Sequence, residues 1–256
     1  MQFSIFSSVP GFNHALSTRW GGVSTGEFDS LNLAFHVGDE PERVRDNRCS
    51  WASGVGFDLP HLVAAQQVHG ANVRVVSRDE RGRGAFDFND ALPDCDALVT
   101  NELNVPVLVL VADCAPVLLV DPTKRVCAVV HAGWRGALAG IAAKTIETLQ
   151  SEFGTNPGDV LAAIGPCLSV GNLEIGEEVA ALVEEKDALS VVRSEEWDKP
   201  HLDLRGLIGR DLIKAGVSES NVEVSPFCPK ERSDLFFSHR GQNGRAGRFG
   251  VVAWWE

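Results

Sequence analysis

The sequence predicts a single α+β domain of mixed β-sheets flanked by helices, and three observations carry that expectation. Strand-like apolar runs outnumber helical ones. They sit close together in sequence, so a regular one-strand-one-helix winding does not fit. The 256 residues carry 44% hydrophobic and 23% charged side chains, enough for one large core, and no repeat, low-complexity tract or linker-like stretch divides them. Residues 1–256 therefore read as one unit.

The most apolar stretch, Val105 to Gly136, organises the rest. Val107–Val111 runs into Ala112-Asp113-Cys114, Val117–Val120 closes at Asp121-Pro122, and Val126–Val130 runs into His131-Ala132-Gly133. Each is a strand with a turn or loop signal at its end. Before it, Asp39 resembles an N-cap, with Pro41 in the first turn and Glu42 at N3, of a helix to about Ser53 that stops at Gly54. His61–Val68, Asn72–Ser77 and Ala97–Thr100 read as strands. After it, one helix is expected from Gly136 to Gly154, with Ala142, Ile146 and Leu149 on its apolar face; Gly140 weakens it. Asp159–Ile164 and Val222–Val224 read as strands, Glu174–Lys186 and Arg205–Ala215 as helices. Ser233–His239 and Phe249–Trp254 read as the last two strands.

The net charge is −12, from 23 basic and 35 acidic residues. That argues against binding nucleic acid or an anionic membrane surface, while leaving room for a local basic pocket. No apolar run approaches the roughly 20 residues of a spanning helix. The start lacks a basic n-region and a clean apolar core, so a cytoplasmic location is expected. The six cysteines, 49, 95, 114, 127, 167 and 228, are scattered without a CxxC pair and are expected as reduced thiols. Cys127, Cys49 and Cys95 read as small core residues.

Three residues stand out chemically. His69, Cys114 and His131 each sit where a strand gives way to a loop beside a small residue. Two imidazoles and one thiolate are a usual three-ligand set for catalytic zinc, which brings the pKa of bound water to about 7. Asp113 would orient a histidine or act as a base. A metal-free arrangement uses the same residues, with a Cys114 thiolate activated by His131 and His69 as a further partner. The residues leave both open. A closed four-ligand structural site, with Cys167 or His239 as fourth ligand, would instead mark a non-catalytic binding protein. Arg19 and Arg135 lie in glycine-rich loops, and Arg240, Arg245 and Arg248 follow in the C-terminal segment with Lys230 and Arg232. One or two of these would grip a phosphate or carboxylate, the rest forming a solvated face.

The segments Thr18-Arg19-Trp20-Gly21-Gly22-Val23-Ser24, Gln67-Val68-His69-Gly70, Ala112-Asp113-Cys114, His131-Ala132-Gly133-Trp134-Arg135-Gly136 and Ile164-Gly165-Pro166-Cys167 resemble, in order, those of the laccase-domain family. This family is also called multicopper polyphenol oxidase-like, purine nucleoside phosphorylase-type, or peptidoglycan editing factor. The resemblance spans nearly the whole chain, with His201-Leu202-Asp203-Leu204 and Phe236-Phe237-Ser238-His239-Arg240 joining it. It implies a fold similar to toxin-type cysteine deamidases and a metal triad at His69, Cys114 and His131. It also implies phosphorolysis of purine nucleosides (adenosine, inosine, guanosine, methylthioadenosine), with adenosine deamination as a side activity. Zinc is the expected metal and copper the alternative. Phenol oxidation with copper, or a cysteine- or metal-dependent amidase editing a peptidoglycan precursor, are the other roles implied. Catalytic parts are expected at Cys114, His131, His69 and Asp113, and substrate contacts at Arg19, Arg135 and Gln67. The partners are then a nucleoside and phosphate, and the chain a monomer or weak homo-oligomer. Trp20, Cys228-Pro229 and the tail from Arg240 to Arg245 depart from the family's usual pattern, which bears on substrate preference. A multicopper cluster needs many histidines, whereas this chain has seven, two of them well placed.

Overall fold

Strand β5 (Val107–Val111) shows why the central stretch is so apolar. Val107, Val109 and Val111 point into one hydrophobic cluster, and Leu108 and Leu110 into another. A strand buried on both faces has no polar side to alternate with. The computed structural model describes residues 1–256. In chain order its strands and helices are β1 (Phe12–Leu16), α1 (Pro41–Val55), β2 (Val63–Ala64), β3 (Val73–Val75), β4 (Ala97–Thr100) and β5, then β6 (Ala115–Asp121), β7 (Val126–Ala132), α2 (Trp134–Leu138) and α3 (Ile141–Phe153). They continue with β8 (Leu161–Ile164), α4 (Glu177–Asp187), β9 (Val191–Val192), β10 (His201–Leu202), α5 (Leu204–Lys214), β11 (Val222–Val224) and β12 (Phe249–Trp255).

A four-stranded sheet in the order β1-β12-β5-β2 faces a six-stranded sheet in the order β11-β8-β6-β7-β4-β3. Both are mixed, as expected. The pairs β2/β5, β3/β4 and β11/β8 are parallel and the remainder antiparallel. Side chains alternate between layers along every central strand. In β6, Leu118 and Val120 meet the four-stranded sheet, while Val117 and Leu119 meet the helical layer of α3, α4 and α5. In β12, Val252 and Trp254 turn outward to pack on Trp51 and Ala52 of α1. The result is four layers, helix, sheet, sheet, helices, in one connected chain.

Several boundaries differ from the sequence reading. The first helix begins after Glu40 rather than Asp39, because Asp39 is turned inward, where its carboxylate accepts from Ser24 Oγ and Asn32 Nδ2. It passes through Gly54 and stops at Gly56, which takes the left-handed conformation (φ 100°) that glycine adopts at low cost. The expected helix over 137–153 is broken into α2 and α3 by Gly140 at φ 76°. At this break Lys186 Nζ donates to the carbonyls of Ala137, which also accepts the N–H of Gly140, and Leu138. The expected strand at Ser233–His239 is a loop. Phe236 and Phe237 are apolar because they anchor it in the inter-sheet core, while its backbone forms turns. Of the expected His61–Val68 strand, Val63–Ala64 pairs with β5 and Ala65 makes an isolated bridge to Leu92; the rest is unpaired. Strand β1 was hidden by Asn13 and His14; burial pushes the His14 imidazole down to about 4, so it stays neutral, and Nε2 accepts the N–H of Phe3. Cys127 and Cys95 are buried as expected, but Cys49 is exposed on α1.

Leu118 is 1% exposed between the two sheets. Leu118→Ala is expected to cost about 2–5 kcal/mol of folding stability, read as a lower midpoint in urea unfolding with an unchanged slope.

Candidate metal centre

The site lies where the two sheets end. In β7, His131 continues the Cys127–Val129 side, the side turned to the other sheet. Pro116 of β6 pairs with His131, and Ala97 of β4 pairs with Val130, so the residue before β4, Asp96, lies against His131. The β5–β6 turn carries Cys114, and Asp113 holds φ 90° there. His69 sits at φ 61° in the loop after β2. Both are non-glycine residues in left-handed backbone, a conformation that clusters at functional sites.

The ligand atoms of His69, Cys114 and His131 lie within 4.8 Å of one another. The two imidazole rings meet edge to face with centroids 4.7 Å apart. The organiser of this cluster is Asp96, which is fully buried. Its carboxylate accepts the backbone N–H of Val68 (3.2 Å), His69 (3.0 Å) and Gly70 (2.8 Å), and the Nδ1–H of His131 (2.7 Å). A carboxylate only accepts, so Nδ1 of His131 carries the proton and Nε2 is the nitrogen free to bind a metal. The backbone N–H of His131 also donates to the Asp96 carbonyl, at 2.7 Å.

Charge in the cluster is coupled. Burial opposes the Cys114 thiolate, yet the charge and hydrogen bonds of His131 and His69 outweigh it and hold the thiol down at about 6. Burial likewise opposes an imidazolium at His131, but the Cys114 thiolate and Asp96 raise it to about 9. Asp96 is depressed despite its own desolvation, by His131 and the loop N–H groups. The ion-free state is thus a thiolate–imidazolium pair braced by a carboxylate. One soft sulfur and two nitrogens, oriented by an outer carboxylate, fit a metal such as zinc or copper.

The glycines of His131–Gly136 make room for this. A Cβ at Gly133 would lie 3.1 Å from Cys114 Sγ and 3.2 Å from the His69 ring, and one at Gly136 would lie 2.7 Å from the Gly70 carbonyl. The cluster opens into a cavity of about 440 Å³. Trp134, Leu168, Leu173 and Leu204 form an apolar wall; His36, His239, Arg135, Arg240 and Arg248 supply polar groups.

The other expected site residues divide. Arg135 lines the cavity. Gln67 lines it too, and its amide is paired in both directions with the backbone of Leu110, at 2.8 Å each, so it is held against β5. Arg19 does not line the cavity: its guanidinium donates to the carbonyls of Asp29 and Ser233 and lies over Phe237. Asp113 lines it but orients no histidine; its carboxylate accepts from Ser238 and Arg240. Arg245 pairs with Glu27 and Arg232 with Asp234. Cys167 is not a fourth ligand: it is buried beside Arg205 Nε, and burial pushes its thiol up to about 11 against the effect of that arginine. His239 stands on the cavity wall outside the donor cluster. Asp96 was missed, since only the β4/β7 register brings it to His131.

Residues 13–256 match the family described as multi-copper polyphenol oxidoreductase laccase, and the chain belongs to it. Among its relatives, purine nucleoside phosphorylase YlmD of Geobacillus stearothermophilus is 36% identical over 242 residues, covering 91% of this chain and 86% of that protein. Purine nucleoside phosphorylase Cgl2154/cg2365 of Corynebacterium glutamicum is 38% identical over 93% of this chain and 92% of its own. The crystal structure of YlmD from Geobacillus stearothermophilus superposes with a TM-score of 0.93 at 34% identity, over 97% of this chain and 93% of that one. That of Bacillus licheniformis hypothetical protein YfiH gives 0.92 at 30% identity, over 96% of this chain and 93% of that one. No helix is long and apolar enough to cross a membrane.

Two outcomes follow from this geometry. Asp96→Asn keeps one acceptor oxygen but places an amide among N–H donors; metal affinity, measured by chelator competition, should fall about 10–100-fold. In metal-free protein the Cys114 thiolate predominates above its depressed pKa of about 6. Alkylation of Cys114, followed by mass spectrometry, should therefore be near its plateau at pH 7.5 and slow as the pH falls below 6.

Proposed function

We propose that this chain is a zinc-dependent purine nucleoside phosphorylase. The reading is carried by one observation: a three-donor His–Cys–His cluster opens on a cavity with an apolar wall and arginine side chains. The relatives that bear the phosphorylase name match the chain over nine-tenths of its length, which supports the same reading. Zinc in a three-residue site keeps a position for water or substrate and polarises what binds there.

The remaining roles belong to the chain. Trp134, Leu168, Leu173 and Leu204 offer a purine ring an apolar surface, and Arg135 offers phosphate a planar pair of donors. In phosphorolysis an oxygen of phosphate bonds to C1′ of the ribose as the C1′–N9 bond breaks. The base leaves with the bonding pair and takes up one proton, balanced by the proton that hydrogen phosphate loses on becoming the ribose 1-phosphate ester. This reading assigns the His69–Cys114–His131 cluster to that developing charge and the arginine to the phosphate. Substrates are adenosine, inosine, guanosine and methylthioadenosine, whose shared purine suits the apolar wall. Adenosine deamination, in which water adds at C6 and ammonia leaves, is assigned as a side activity of the same cluster. The protein works in the cytoplasm. Copper suits a thiolate–imidazole set as well, but the single cluster of three donors is too small for the multicopper chemistry of phenol oxidation.

A second reading has its own observation. The Cys114–His131 pair, a thiol held near 6 beside an imidazole raised to about 9 and braced by Asp96, has the composition of a cysteine amidase site. Such an enzyme, acting on a peptidoglycan precursor, would keep its activity in chelator and lose it on thiol alkylation.

The deciding assay incubates zinc-loaded protein with inosine and inorganic phosphate and quantifies hypoxanthine and ribose 1-phosphate. Wild type should form both in equal amounts. Cys114→Ala should be slower by roughly 100-fold or more; a variant with full activity overturns the reading.

A further inference from the structure

Two arginines of this chain have guanidinium groups without an acceptor anywhere in the protein, and both line the same cavity. All the others rest on a carboxylate or a backbone carbonyl. Arg135 and Arg240 do not, and each stands on the wall of the cavity that holds His69, Cys114 and His131. Arg135 comes from α2, its guanidinium 4.3 Å from the indole centre of Trp134. Arg240 comes from the loop that follows Phe236 and Phe237.

Arg240 is not left to a loose loop. Asp113 Oδ2 accepts its backbone N–H (2.5 Å), and Asp113 Oδ1 accepts the hydroxyl of Ser238 (2.6 Å). Ser238 Oγ accepts the N–H of Gly241 in turn, at 2.9 Å. Asp113 is the only carboxylate lining the cavity. With both oxygens engaged by loop donors, it leaves the two guanidinium groups without a carboxylate partner of their own. A guanidinium fork matches two oxygens of a phosphate group, and charge-assisted bonds of this kind are about twice as strong as neutral ones.

We propose that Arg240 joins Arg135 in binding the inorganic phosphate that attacks C1′, and that Asp113 is a positioning residue which fixes Arg240. Asp113 then takes no proton in the reaction. The arginines hold the dianion while the phosphate oxygen bonds to C1′ and the base departs with its electron pair, as above. This inference rests on the phosphorolytic reading, yet the phosphate subsite is measurable without turnover.

The test uses whole zinc-loaded protein. For wild type, Arg240→Gln and Ser238→Ala, KM is measured separately for inosine and for phosphate, zinc content is determined, and inorganic phosphate is titrated calorimetrically in the absence of nucleoside. Arg240→Gln should raise KM for phosphate about tenfold or more and weaken phosphate binding to match, with KM for inosine within about twofold. Ser238→Ala, which removes the Ser238 hydrogen bonds to Asp113 and from Gly241 while leaving the Asp113 bond to the Arg240 N–H in place, should move KM for phosphate in the same direction by about threefold. Zinc content should not change in either. An unchanged KM for phosphate in Arg240→Gln, or both KM values rising together with loss of zinc, overturns the proposal. If no phosphorolysis occurs in wild type but Arg240→Gln still weakens phosphate binding tenfold, the functional reading fails and the subsite stands. If Arg240→Gln weakens binding of inosine 5′-monophosphate and not of inorganic phosphate, the anion belongs to the substrate and the proposal fails.

Discussion

The buried carboxylate of Asp96 is the constraint on which the site depends. Taking an ionised group out of water is costly unless hydrogen bonds and opposite charge replace the lost solvation. Asp96 has four such donors, three from the loop that carries His69 and one from the ring of His131. The same oxygen atoms therefore fix one histidine through its backbone and the other through its side chain. Removing a partner from a buried pair of this kind costs about 3–5 kcal/mol, enough to keep both imidazoles turned toward Cys114 before any ion arrives. The loop accepts left-handed backbone at His69 because these bonds over-determine it.

That carboxylate works only because the four-layer arrangement brings it there. Strand β4 pairs with β7 in a register that sets Ala97 opposite Val130, one step from Asp96 and His131. Strand β7 is packed on both faces, Ala128 and Val130 against the helices and Cys127 and Val129 against the other sheet. A slip of one residue would send His131 to the helical side. Dense packing on both faces is what forbids that slip. The glycines at 133 and 136 complete the fit, since a methyl group at either would press on the thiol and the His69 ring or on the Gly70 carbonyl.

Much of this was legible in the residues. The apolar run from Val105 to Val130 announced two-sided strands, and the polar residues at its ends marked Cys114 and His131. Gly154 stops the third helix where the sequence reading put the end, and Val222–Val224 is a strand with the expected bounds. What misled were residues whose apolar character serves a purpose other than strand pairing. Phe236 and Phe237 are buried anchors of a loop, and Gly140 is a turn inside what reads as one helix. Arg19 looked like a ligand-binding residue because glycines follow it, yet its guanidinium closes a loop by capping carbonyls.

The sequence by itself determined the class of fold, the reach of the core and the three reactive side chains around which the site is built, because these follow from local polarity and from residue chemistry. Only the tertiary structure decided who holds those donors and which charges are free. Asp96 and His131 are 35 positions apart, and Asp113 and Arg240 are 127 apart; no local preference couples such pairs. Hydrogen bonding acts over about 3 Å, so its partners are set by strand register and loop closure, which emerge only when both sheets are packed.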